Sequence, residues 1–214
     1  MVRTHKIVLL LALISFTFNT FSQEIVFEGE IVYDFHFKDK TGKMTESASK
    51  KIMGTEQSYF FKENNYRSEM NGEMNFTQFY HGTDTLYFSM NNSNAVFYTD
   101  CSIPDDKVLS FKIKKANKTI NNYICDLLEI VSEAGTTYYY FSEQLKTSPT
   151  FLKNHKKGLW SFFLDKTRGC LPIKIIADYK SSKMEISIKK VEEKKLEDFI
   201  FEIPKGLPLI ENPN

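Results

Sequence analysis

The sequence predicts a mainly β protein, an antiparallel meander of about 10–11 strands curled into an unclosed barrel, with one or two short helices over its concave face. Three observations predict it. Apolar and polar residues alternate with a period of two through most of the chain, the breaks between runs hold Asn, Gly or Asp, and aromatic residues are abundant, with 19 Phe and 11 Tyr.

The first strand is "GEIVYDFHFK", where Ile31, Tyr33, Phe35 and Phe37 share one face while Glu30, Asp34, His36 and Lys38 share the other with Val32. "DKTGK" follows as a turn, and a short helix is predicted around Thr45–Lys51. Next, "SYFFK" and "YRSEM" flank "ENN", "MNFTQFY" and "TLYFSM" flank "HGTD", and "NNSN" leads into "AVFYTD". These connecting residues tolerate the backbone angles of tight turns. "VLSFKIKK" points Leu109, Phe111 and Ile113 inward against Ser110, Lys112 and Lys114. In "YICDLLEIVSEAGTTYYYFS", Glu133–Gly135 divides two strands, with Tyr138 and Tyr140 on one face and Tyr139 and Phe141 on the other. A helix from Pro149 to about Lys156 is expected, with Ser148 as N-cap, basic residues in the last turn and Gly158 as the left-handed stop. "LPIKIIADY", "KMEISIKKV" and "DFIFEIP" complete the strands.

The ends suggest export. Arg3, His5 and Lys6 precede the apolar run "IVLLLALISFTF", and "NTFSQE" offers a cut near Ser22–Gln23, so residues 1–22 read as a signal peptide and 23–214 as one domain. The apolar run is too short to span a bilayer comfortably, and no transmembrane segment is expected in the mature chain. Removing two of 28 basic and none of 27 acidic residues leaves 26 − 27 = −1. That balance, with no basic cluster, gives little attraction for nucleic acid. "KIKKANK" and "KKVEEKK" read as solvated faces.

Cys101, Cys125 and Cys170 make an odd number, so one internal disulfide at most is expected. Cys101–Cys125 is the favoured pair, closing a loop whose constraint on the unfolded chain would stabilise by about 3 kcal/mol, and Cys170 is the spare thiol. No Cys-x-x-Cys, no converging His or carboxylate ligands and no calcium-loop spacing at Pro104–Asp106 appear, so neither a metal nor a cofactor is implied. A nucleophile elbow, a phosphate-cradling glycine loop and a Ser–His–Asp order are equally lacking, and the protein is read as no enzyme. Rings on both faces of successive strands indicate either plain core packing or an apolar pocket on the concave side.

The segments "KTINNYICDLLEIVSEAGTTYYYFSEQL", "TFLKNHKKGLWSFFLDKTRGCLPIKI" and "LEDFIFEIPKGLPL" together resemble exported Bacteroidota proteins of the lipoprotein-carrier-like (LolA/LolB-like) superfamily, of a domain-of-unknown-function type. The resemblance implies an antiparallel sheet curled into an unclosed barrel with helices across its hydrophobic mouth. It also implies that Cys101 and Cys125 match a recurring pair, and that Cys170 falls where a small residue precedes "LP". The carriers begin with an amphipathic helix, whereas "QEIVFEGEIVYDF" enters the sheet almost directly.

Three functions follow as expectations. The first is an exported protein, periplasmic or extracellular, that binds a lipid or acyl chain in the concave face. Tyr33, Phe35, Phe37, Phe76, Tyr80, Leu86, Phe88, Leu109 and Phe111 would line the pocket. The second is a protein-binding or scaffold module of the cell envelope, with a fully packed sheet and no ligand. The third, an envelope hydrolase, needs a His or carboxylate pair converging in a cleft.

Overall fold

The alternation of the first strand sets the architecture, because burying Ile31, Tyr33 and Phe35 while leaving Asp34 and His36 in water requires a sheet covered on one face. The computed structural model describes residues 26–91 and 93–212; the expected signal peptide lies outside them. In chain order the elements are β1 (Gly29–Asp39), α1 (Glu46–Met53), β2 (Glu56–Lys62), β3 (Asn65–Met70), β4 (Thr77–His81), β5 (Thr85–Ser89) and β6 (Val96–Asp100). They continue with β7 (Val108–Ile120), β8 (Tyr123–Ser132), β9 (Gly135–Lys146), α2 (Trp160–Thr167), β10 (Cys170–Tyr179), β11 (Ser182–Glu193) and β12 (Leu209–Glu211).

The twelve strands of the described residues form one sheet in the order β12-β6-β5-β4-β3-β2-β1-β11-β10-β9-β8-β7, unclosed, with β7 and β12 at its two ends. Every neighbouring pair is antiparallel except β12 on β6. The segment from Thr147 to Thr167 packs on the inner face and touches strands far apart in that order. Phe151 meets Phe61 of β2, His155 meets Tyr66 and Tyr80 of β3 and β4, and Phe163 stacks on Tyr139 of β9 at 4.4 Å. A sheet whose separated strands share one plug must curl around it.

One or two short helices were expected and two are present among the described residues, but one stands elsewhere. Thr45 caps α1 by accepting from the Ala48 N–H at 3.2 Å, where a helix was predicted. The stretch from Pro149 to Lys156 is not a helix. It makes isolated turns, and α2 begins only at Trp160. Phe151, Leu152 and His155 are drawn to separate parts of the core, and this packing outweighs the local helix signals. Gly158 does adopt the left-handed conformation (φ 61°), but it precedes α2 rather than ending a helix, and Leu159 repeats it (φ 64°).

The segment "DFIFEIP" is likewise no strand. Asp198–Phe201 forms a 3-10 turn in a C-terminal strap across the outer face. Phe201 is buried and Phe199 exposed. Side chains satisfy the strap's backbone in place of a ladder: Lys62 donates to the Leu196 carbonyl at 2.7 Å, and His81 Nε2 lies 2.8 Å from the Phe201 carbonyl oxygen. The Arg67 guanidinium lies under the strap, flanked by the rings of Phe60 and Phe79 at 5.9 and 5.8 Å.

Candidate functional site: an apolar cavity on the inner face

The inner face divides into a filled half and an open half. In the filled half, Tyr59 stacks on Phe61, Tyr66 on Tyr80, and the His155 ring lies 5.1 Å from that of Tyr80. His155 Nε2 sits 2.9 Å from the Tyr66 hydroxyl oxygen, so a neutral imidazole serves a buried phenol. Burial holds the His155 pKa down at about 4. It pushes the phenols of Tyr33 and Tyr66 well above their ordinary value and that of Tyr59 up to about 12, so all of them stay neutral.

The open half encloses a cavity of about 330 Å³, at the low end of the roughly 300–1,000 Å³ usual for small-molecule pockets. Its floor is Phe35 of β1, Ile175 and Ala177 of β10 and Ile186 of β11. Met53, Met70, Met74 and Met184 contribute four thioethers from α1, β3, the β3–β4 turn and β11, and Trp160 and Tyr139 form the wall towards the filled half. Among the described residues no charged side chain lines the cavity. Its polar atoms belong to neutral groups that bond among themselves: Gln57 Nε2 donates to the Tyr59 hydroxyl at 3.2 Å, and the Thr137 and Tyr179 hydroxyls lie 3.5 Å apart. Such a surface solvates an alkyl chain and offers nothing to compensate a buried charge.

The mouth is roofed by α1 and the β3–β4 turn, locked together through backbone. The Glu73 and Met74 N–H groups donate to the Lys51 and Ile52 carbonyls, both at 3.0 Å. A Cβ on Gly72 would lie 2.3 Å from the Ile52 carbonyl oxygen, so only glycine permits this approach. In α1 only Ser49 is buried, so this roof rests lightly on the sheet.

On the far side, the turn Lys157–Leu159 separates the cavity from a surface cleft of about 690 Å³ floored by Val108, Leu159 and Phe162. The Tyr139 hydroxyl donates to the Gly158 carbonyl at 3.1 Å, and the Asp105 carboxylate accepts from the Gly158 N–H at 3.1 and 3.2 Å. The cleft is larger, but its rim of Asp105, Asp106, Glu133, Lys107 and Lys156 is charged and open to water. The smaller cavity is therefore the more apolar of the two.

Of the nine residues expected to line a pocket, Phe35 and Phe76 do so. Tyr33, Tyr80 and Leu86 belong to the filled core, and the Tyr33 hydroxyl donates to the Pro172 carbonyl at 2.9 Å. Phe37 is half-buried on a groove with Glu46 and Lys50, and Phe88 joins the ring series Phe76–Phe88–Phe97. Leu109 and Phe111 are 58% and 47% exposed, because Leu109 falls at a bulge between Val108 and Ser110 and β7 is the last strand of the sheet among the described residues. The triple tyrosine resolves cleanly: Tyr139 and Phe141 are buried inward, while Tyr138 and Tyr140 face out, the latter beneath Lys118 Nζ at 4.5 Å. The four methionines and Trp160 were missed because they are scattered over separate elements with no common spacing.

The expected Cys101–Cys125 disulfide is not formed. All three thiols are free and buried. Eight strands separate β6, which Cys101 follows, from β8, which carries Cys125. The Sγ atoms of Cys101 and Cys125 instead lie against the Thr83 and Tyr123 carbonyls, and burial pushes the thiols of Cys101 and Cys170 up to about 11.

An open, curled β sheet with an uncharged cavity on its inner face under a light roof defines the class of protein at hand. Within that class the chain belongs to a particular family, described as a domain of unknown function (DUF4412), which it matches over residues 41–207. A search of curated proteins finds no match. Among solved structures, the chain is similar to a LolA superfamily protein from Nitrosomonas europaea, at 11% identity and a TM-score of 0.37, over 84% of this chain and 93% of that one.

Proposed function

We propose that this protein is a non-enzymatic holder of a single apolar chain, such as the acyl tail of a lipid, enclosed in the cavity between α1, Trp160 and the β10–β11 floor. The observation that carries the reading is a cavity of about 330 Å³ with no charged lining group and four methionines. Its size suits one chain rather than several, and its neutral wall leaves any headgroup outside the mouth. Burial of the chain would contribute roughly 25 cal/mol per Å² of apolar surface. Export to the periplasm or beyond is part of this proposal and rests on the N-terminal signal alone.

A scaffold with a fully packed sheet requires a filled inner face, and the cavity argues against it. The hydrolase reading requires convergence, but the histidines sit apart: His36 is exposed on β1, His81 lies under the C-terminal strap, and His155 is in the core.

Native mass spectrometry of the folded chain from Gln23 onward, alone and titrated with dodecanoic acid, tests the proposal. A one-to-one adduct is expected. A clean apo mass that takes up no fatty acid overturns it.

A further inference from the structure

The end of the sheet at β7 combines a long terminal strand with exposed apolar and basic side chains. It is a 13-residue terminal strand whose outer edge has no partner strand among the described residues. Leu109, Phe111 and Ile113 are 58%, 47% and 39% exposed there, and Ile103 in the loop before it is 58% exposed. Proteins ordinarily blunt or cover such edges, and a contiguous exposed apolar strip marks a surface that meets something.

Charge says what. Residues 101–120 hold five Lys and two Asp, net +3, and residues 146–168 hold five Lys, one Arg and one Asp, net +5. The two segments pack together: the Lys156 N–H donates to the Cys101 carbonyl at 2.7 Å, Phe111 meets Phe162 edge-on at 5.4 Å, and Lys166 Nζ lies 5.4 Å from both rings. Together they carry +8, which becomes 8 − 3 = +5 once Asp126, Glu129 and Glu133, the acidic partners of their lysines beside β7, are counted, in a chain of net +1. The acidic groups that face this region are mostly engaged, although Glu143 also faces Lys115 and Asp100 faces Lys156 and Lys157. Glu129 pairs with Lys112 and Lys114, Asp126 with Lys115, Glu133 with Lys107 and Asp165 with Lys166, while Asp105 and Asp106 accept from backbone N–H groups. Lys153, Lys156 and Lys157 form no ion pair among the described residues.

We infer that this edge seats on an anionic lipid surface, with Ile103, Leu109 and Phe111 entering the headgroup zone and the surrounding lysines meeting lipid phosphates. Interfacial binding of this kind combines shallow burial of apolar side chains with attraction of lysines to anionic lipid. The unpaired backbone groups of β7 remain solvated, because the headgroup zone holds water and phosphate oxygens. A second copy pairing through β7 would instead set Lys112 and Lys114 of one chain near those of the other, and like charges across a strand pair repel. The surface stands apart from the cavity, and neither requires the other.

Vesicle flotation of the folded chain from Gln23 onward tests it, using phosphatidylcholine alone and phosphatidylcholine mixed with phosphatidylglycerol. The expected result is partitioning onto the anionic vesicles only, weakened by salt, and reduced about tenfold or more by Leu109→Ser with Phe111→Ser and, separately, by Lys156→Glu with Lys157→Glu. Leu109 and Lys156 are exposed, while Phe111 packs against Phe162 and Lys157 is half-buried, so circular dichroism and the melting temperature serve as controls for folding. Equal flotation of wild type and variants, or no preference for anionic vesicles, overturns the inference. So does a concentration-dependent dimer that the Leu109→Ser, Phe111→Ser pair dissolves while no vesicle binding is seen.

Discussion

The two halves of the inner face share a sheet and a plug yet are built from different side chains. One half is rings interlocked on rings, with Phe61 against Phe27, Tyr59, Tyr66 and Phe151, and with a buried histidine hydrogen-bonded to one of its tyrosines. The other is floored by aliphatic residues and walled by methionines around empty space. Aromatic rings have few torsions and lock into one arrangement, whereas an unbranched thioether repacks around what is placed beside it. Rigidity in the first half holds the sheet curled, and that curl keeps the second half open.

The largest expected effect lies in the rigid half. Phe61→Ala should cost about 3–5 kcal/mol of folding stability, because neighbours fixed by stacking cannot collapse into the hole. Met74→Ala at the cavity rim, half-buried and facing space, should cost about 1 kcal/mol or less. Urea unfolding of the two variants measures the contrast. Similar losses at both positions would mean the halves are not mechanically distinct.

A second asymmetry appears with pH. The folded-state pKa of His155 is held at about 4, below the unfolded value of about 6.5. Above pH 6.5 the residue is neutral in both states and stability does not depend on it. As pH falls from 6.5 to 4 the unfolded chain binds a proton that the folded chain refuses, so stability declines, by at most about 3 kcal/mol, and the decline ends below pH 4. His155→Gln should flatten this interval of the stability curve relative to wild type. An unchanged slope would show that the imidazole is not held neutral by its burial among Tyr66 and Tyr80.

These contrasts also explain what the sequence could and could not tell. The fold was legible because alternation reports which side chains face inward, as for Ile31, Tyr33 and Phe35 or for Tyr139 and Phe141. Alternation says nothing about how far a sheet continues. Phe111 reads as inward and is inward in register, opposite Ile130, whereas Leu109 falls at a bulge between Val108 and Ser110, and among the described residues no further strand lies beside β7 to cover either. The cavity was illegible for a different reason. Its wall is assembled by curling, which brings Met53, Met74 and Met184 together across more than 100 residues, and no local spacing records that. The thiol pairing failed likewise: a loop of suitable length said nothing of the eight strands between its ends.

Filling the open half should separate binding from folding. Ala177 is buried on the cavity floor, so Ala177→Phe directs a ring into existing space. Overpacking a filled core costs about 1–3 kcal/mol, and a cavity that accepts the ring should hold the loss below about 1 kcal/mol. Fatty-acid affinity should fall about tenfold or more, which corresponds to about 1.4 kcal/mol. Titration by intrinsic Trp160 fluorescence, on the cavity wall, reads it directly. Undiminished affinity would locate the ligand elsewhere.

The smallest change addresses why the wall is methionine. Replacing Met53, Met74 and Met184 together by Leu nearly conserves volume and apolarity, and each such exchange typically costs under about 1.5 kcal/mol. What leucine lacks is the unbranched, three-torsion chain that lets methionine fill irregular gaps. The wild-type cavity should therefore accept fatty acids over a range of lengths with similar affinity, each seated by a different set of methionine rotamers. The triple variant should keep affinity for the length that fits its fixed shape and lose it on either side. Binding measured across a series of saturated fatty acids gives the two profiles. If they coincide, the breadth of the cavity comes from movement of its roof, the lightly seated α1, and not from the side chains that line it.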